Sequence, residues 1–186
     1  RIEIEKLGID ICLTSSQKCF ALPPGLAIGI ISDRAIKKAE TVSGKGHYLN
    51  FLDIKDYFDK KGQTPTTPAV SLMYALNKQL DKMKAEGMEK RFRRHLDMAH
   101  YVQDWGKKHF SLFAEPGYES VTVSCINNTK KISIADLNTE LGKRGFAISN
   151  GYGKLKELTF RIAHMGDLTL DEVKELIRNI DEILKL

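Results

Sequence analysis

The heptapeptide Gly62-Gln63-Thr64-Pro65-Thr66-Thr67-Pro68 constrains the fold most. Neither a helix nor an inner strand runs through it. Each proline lacks an N–H and pushes the residue before it out of the α region. A helix must therefore begin after it, and Pro68 suits a first helical turn. Val70, Leu72, Met73, Leu76, Leu80 and Met83 follow at helical spacing. Gly87 interrupts that pattern, and a second helix is predicted to about Trp105. Gly87 is accordingly the expected boundary between a domain spanning 1–86 and another spanning 87–186.

Ahead of the breaker, Ile11 to Leu13 and Leu26 to Ser32 read as two short strands, the second apolar enough for a buried one. Asp33 to Ala39 reads as a helical turn, and Thr41 to Lys61 as a meandering, aromatic surface segment. Beyond Gly87, strands are predicted over His109–Ala114, Val121–Ile126, Phe146–Ser149 and Leu158–His164. A helix capped at Ser133 runs to about Lys143. Thr169-Leu170-Asp171-Glu172 is a capping box opening a last helix, with Val173, Leu176, Ile177, Ile180 and Ile183 on one face. This alternation predicts an α/β sandwich.

Composition removes several function classes. At 42% hydrophobic and 28% charged residues the chain suits a soluble globular protein, and no apolar run approaches a membrane span. The net charge of +5 is spread among acids. The densest basic run, Lys90-Arg91-Phe92-Arg93-Arg94, lies between Glu89 and Asp97 and reads as a solvated helix face, not a nucleic-acid footprint. Cys12, Cys19 and Cys125 are an odd set without metal spacing, which fits reduced thiols in a cytoplasmic protein. His47, His95, His100, His109 and His164 show no metal spacing and read as surface or satisfied core residues. Asn150-Gly151-Tyr152-Gly153 reads as a turn.

Lys18 lies in a small polar loop, Thr14-Ser15-Ser16-Gln17-Lys18, between the first two strands and just before Pro23-Pro24-Gly25. Chemistry leaves two readings. A strand-end ammonium can simply reach water, whereas a buried one loses its proton more easily and becomes an amine able to add to a carbonyl. The neighbouring hydroxyls and Gln17 suit donation to an anion, and the prolines stiffen the exit.

The string Ser16-Gln17-Lys18 followed by Pro-Pro-Gly-Leu-Ala closely resembles the cofactor-lysine segment of class V (fold-type I) pyridoxal-phosphate-dependent aminotransferases. It is most similar to the alanine–glyoxylate, serine–glyoxylate and serine–pyruvate group. The match extends into Gly8–Ser15. Gln63–Pro68 resembles the loop where a threonine, here Thr67, contacts the cofactor phosphate of the neighbouring subunit. Gly153–Val173 resembles the strand whose arginine, here Arg161, clamps the substrate α-carboxylate with a planar fork.

The resemblance implies pyridoxal 5'-phosphate as cofactor, Lys18 as the Schiff-base lysine, and Gln17 and Thr67 beside the phosphate. It also implies a homodimer with shared sites acting on a small amino acid and a 2-oxo acid. The expected fold is a remnant of the large, mainly parallel-sheet domain followed by a small α/β domain. The sequence begins at Arg1, only 17 residues before Lys18. The family's acid for the pyridine nitrogen, its stacking ring and its phosphate-cupping helix start all lie earlier, and Asp10 is too near Lys18 to be that acid. A fragment that alone is a poor catalyst, completed by an N-terminal half, is therefore expected. A desulfurase or lyase, an aspartate-type aminotransferase, or a non-catalytic dimerisation module are the alternatives. Relatives of the first kind place a histidine where Gln17 stands, and neither Cys12 nor Cys19 sits on a mobile loop of the kind a desulfurase needs.

Overall fold

The computed structural model describes residues 2–186; Arg1, the first residue of the expected 1–86 domain, lies outside them. Contacts divide the chain into two units between Lys82 and Met83, so the division falls inside a long helix.

In the first unit, β1 (Ile11–Ser15) and β2 (Ala27–Ile31) pair antiparallel, with Leu13 opposite Gly29. α1 (Asp33–Thr41) starts at Ser32, whose hydroxyl accepts the Ala35 N–H. α2 (Phe51–Lys61) replaces the expected meandering segment. Asn50 caps its start and Gly62, at φ 61°, closes its end, so the aromatic residues at 51, 57 and 58 lie on a helix. α3 (Val70–Glu86) begins two residues after Pro68.

The strand containing Leu26 to Ile31 is not buried as expected. Only two strands pair, and Leu13 and Ile30 remain 70% and 54% exposed. A two-stranded ribbon buries too little to stand alone, which makes covering apolar surface its outstanding requirement.

The second unit has a dense core. α4 (Met88–His109) leads into β3 (Ser111–Leu112), β4 (Val123–Asn127) and α5 (Ile134–Lys143). Next come β5 (Ser149–Asn150), a 3-10 turn at Gly153–Leu155, β6 (Thr159–Ala163) and α6 (Leu170–Leu184). The sheet order is β3-β4-β6-β5, antiparallel throughout. β3 and β5 are much shorter than the strands expected there.

Period-two alternation decides what β6 presents. Phe160 and Ile162 go into the core with Met98, Val102, Ile126, Leu137, Ile177 and Ile180. Trp105, Phe110 and Phe160 stack by their edges, with Phe110 and Phe160 centroids 5.3 Å apart. Burying each such side chain contributes roughly 1.5–3 kcal/mol. Arg161, between two core residues, therefore takes the opposite face of the sheet, flanked in register by Cys125 and Ser149.

The basic run on α4 is not a uniformly solvated face. Arg93 is exposed, but Arg91 is buried and bonds Glu86 and Asp167, while Arg94 bonds Glu86 and the Gly166 carbonyl. The i,i+3 spacing of Arg91 and Arg94 turns both toward the same acid.

Candidate active site

The Lys18 loop is built around Ser16, which is fully buried. Its hydroxyl donates to the Pro23 carbonyl at 2.7 Å and accepts the Leu26 N–H at 3.3 Å. Its backbone N–H bonds Leu26 O and its carbonyl accepts from Leu22 N, both at 3.1 Å. The turn tightens further where Ala21, at φ 53°, donates to Lys18 O. The Ser16 proton is thus spent inside the loop, so this hydroxyl is not a donor for an anion.

Gly25, at φ 141°, explains the glycine after the two prolines. A Cβ there would come within 2.5 Å of Leu72 Cδ1 on α3. The exit of the Lys18 loop thus packs directly on the helix that follows the Thr67 loop.

Gln17 and Lys18 sit side by side on this turn and are exposed. The Lys18 ammonium has no hydrogen-bond or ion-pair partner among the described residues. Of the two readings the sequence left open, the described residues show the strand-end ammonium that reaches solvent. Asp10 is occupied elsewhere. Arg34 binds both its oxygens at 2.8 Å and Ser32 donates at 2.7 Å, which holds its carboxyl below the usual range.

Thr67 is exposed in the breaker loop, beside Tyr57, Phe58, Pro65 and Met73. Its neighbour Thr64 folds back onto Thr66 O at 2.7 Å, whereas the Thr67 hydroxyl has no partner among the described residues.

Arg161 belongs to the second unit. Nε and Nη2 donate to the Asn150 carbonyl at 3.4 and 3.2 Å, and the guanidinium carbon lies 5.8 Å from the centroid of the exposed Tyr152 ring. No carboxylate pairs with it among the described residues. A half-buried guanidinium held by one carbonyl and one ring keeps donors available for a planar anion. Asn150 and Tyr152 contact it, and Glu157 bonds the Asn150 side chain; the sequence reads Asn150–Gly153 as a turn. The clustering of two glycines about an aromatic residue, just before a strand, was the available signal.

No three His, Cys, Asp or Glu side chains gather among the described residues. His95 Nδ1 donates to Arg91 O at 2.7 Å and Nε2 accepts the Gly166 N–H at 3.2 Å. His164 is wholly buried with Nε2 on Ser124 Oγ at 2.9 Å, but Nδ1 has no partner, so it is not the fully satisfied core histidine expected. None of the three cysteines is in a disulfide among the described residues. No helix among the described residues is long and apolar enough to cross a membrane.

The profile of the aminotransferase class-V family matches residues 1–179. The chain belongs to this family. It is 36% identical over 187 residues to an uncharacterized aminotransferase of Methanocaldococcus jannaschii, covering 99% of this chain and 49% of that protein. It is 35% identical over 173 residues to the serine–glyoxylate aminotransferase of Hyphomicrobium methylovorum, covering 89% and 42%. The fold matches alanine–glyoxylate aminotransferase from Nostoc sp. with a TM-score of 0.90 at 23% identity, over 99% of this chain and 50% of that one. The chain thus spans about half the length of the relatives it matches. Its mixed α/β architecture is that of the pyridoxal-phosphate aminotransferases, and the family implies that cofactor.

The residues present fit the group. Attachment needs an amine free of carboxylate partners, and Lys18 has one. A phosphate needs uncommitted donors, and the Gln17 and Thr67 side chains have no hydrogen-bond partner among the described residues.

Proposed function

We propose that the protein containing this chain moves an amino group from a small amino acid, serine or alanine, to a 2-oxo acid, glyoxylate or pyruvate. The single observation behind this reading is that, in a chain of the class-V family, neither the Lys18 ammonium nor the Arg161 guanidinium has a carboxylate partner among the described residues. The 35% identity to a serine–glyoxylate aminotransferase supports the choice of substrates.

In this reading Lys18 anchors pyridoxal 5'-phosphate, with Gln17 and Thr67 as phosphate donors and Thr67 serving the neighbouring subunit of a homodimer. The bound cofactor supplies an electron sink for charge developing at the substrate Cα. Arg161 grips the α-carboxylate and so fixes the orientation of the Cα–H bond. The Lys18 amine then takes the proton from the substrate Cα as general base and returns one as general acid. Residues 1–86 are proposed as the C-terminal part of the cofactor-binding domain and 87–186 as a small domain holding the carboxylate. The first half of the site is proposed to come from an N-terminal portion, so the 186-residue chain alone should turn over poorly. A cytoplasmic location fits three cysteines outside any disulfide.

An amino-donor screen of the full-length protein with glyoxylate tests the substrates. Serine or alanine is expected to lead by about tenfold or more in kcat/KM, a margin that one or two side-chain contacts can supply. Preference for aspartate or phosphoserine would overturn the donor assignment.

A further inference from the structure

Around Arg161 the chain builds something more elaborate than a turn. Glu157 has a left-handed φ of 62°, which a non-glycine residue seldom adopts. Its backbone N–H donates to Asn150 Oδ1 at 2.8 Å, and its Oε1 accepts the Asn150 side-chain amide. Its Oε2 accepts the Ile134 N–H at 2.8 Å, at the start of α5. Asn150 Oδ1 also accepts the Gly151 N–H at 2.7 Å, and that same N–H reaches Thr159 O on β6 at 2.8 Å. A Cβ on Gly151 would lie 1.9 Å from Leu155 O, so the loop is closed against its own backbone. These bonds fix the Asn150 side chain, and the main-chain carbonyl of the same residue receives both donors of Arg161.

An outlying backbone conformation secured by several bonds is the usual sign of a position that must be held. Phe160 and Ile162 anchor β6 in the core, and Glu157 also ties the loop to its surroundings, its carbonyl accepting the Asn128 side-chain amide at 2.8 Å and its carboxylate the Ile134 N–H. What the loop does fix is the direction of the guanidinium, with Tyr152 bracing its face.

We propose that Asn150 and Glu157 are positioning residues: they form a clamp that aims Arg161 at the carboxylate of the amino-acid substrate. The proposal rests on the reading of Arg161 given above.

The test uses the full-length protein and compares Asn150→Asp, Glu157→Gln, the double variant N150D/E157Q, and Arg161→Lys. Asn150→Asp sets two carboxylates against each other. The double variant restores the bond with its direction reversed, since the introduced amide can donate to the introduced carboxylate while still accepting from Ile134. The amino-donor KM should rise about tenfold or more in Asn150→Asp, with kcat within about threefold, because orientation of the carboxylate is lost before chemistry. Cofactor occupancy should not change, and the double variant should recover the KM.

A second readout does not depend on turnover or on the single variant being well folded. In the 186-residue chain, the Arg161 Nε–H should exchange with water at least about tenfold faster in Glu157→Gln than in the parent or the double variant, as a less protected hydrogen bond does. If Arg161→Lys leaves the donor KM unchanged, the reading of Arg161 fails and the clamp falls with it. If Arg161→Lys raises KM but the clamp variants do not, or the double variant fails to recover, the clamp alone is overturned.

Discussion

Ser16 donates its hydroxyl proton to the carbonyl of Pro23 at 2.7 Å, and this bond, buried completely, closes the turn on which Lys18 stands. Ser16→Ala leaves that carbonyl and the Leu26 N–H without their partner. A loss of about 1–3 kcal/mol in the stability of the first unit is expected, read from denaturant unfolding of the chain. An unchanged midpoint would show that the loop is held by something else.

Gly151 is the second place where the local backbone leaves no choice. Gly151→Ala drives a methyl group into Leu155 O, and the loop must open to admit it. Overpacking of this kind costs about 1–3 kcal/mol. The loss should appear in the unfolding of the second unit, followed by Trp105 fluorescence, and stability equal to the parent would contradict the close approach.

Arg91 is the buried member of the ion-pair group below α4, its side chain 4% exposed against 27% for Glu86 and 44% for Asp167. Removing one partner of a buried pair costs roughly 3–5 kcal/mol, and the half-exposed acids here place Arg91→Ala at the low end. Arg93→Ala, on the exposed side, should change stability by less than about 0.5 kcal/mol. Similar effects from both would mean that Arg91 is not the anchor.

Acid should weaken the second unit in two stages. Burial holds the imidazoles of His95 and His164 below their usual pKa, so the folded state favours them neutral while the unfolded chain protonates them freely. That stability is present above about pH 6.5 and is lost as pH falls through the folded values. Arg94 and Arg91 hold Glu86 down to about 2, so its contribution persists until pH drops below the usual carboxylate range. The urea midpoint of Trp105 fluorescence should be flat from about pH 8 to 7 and fall below about 6.5. His95→Gln should reduce the first stage, and a midpoint independent of pH down to about 5 would contradict it.

Much of this architecture was legible in the residues, and the exceptions have physical causes. Thr169 and Glu172 announce α6 because a capping box is local chemistry, and the Pro68 breaker places α3 for the same reason. α2 was missed although Asn50 and Gly62 bracket it, since its aromatic residues resemble a surface meander when their spacing is not weighed. β3 and β5 are two residues each because strand length depends on partners far away in sequence. Lys18, Gln17, Thr67 and Arg161 were singled out through the likeness of their segments to the family's. Ser16 as a hub, and the Asn150–Glu157 clamp, were not legible, because each exists only through side-chain bonds made once the loop has folded. The Arg91–Asp167 pair spans most of the second unit and has no local signature at all.

The identity of the anchoring amine tests the whole account most directly. The full-length protein, loaded with pyridoxal 5'-phosphate and reduced with borohydride, should yield one pyridoxyl-bearing peptide, modified at Lys18, and Lys18→Ala should yield none. Stable modification of a different lysine, or labelling that survives Lys18→Ala, would contradict the assignment.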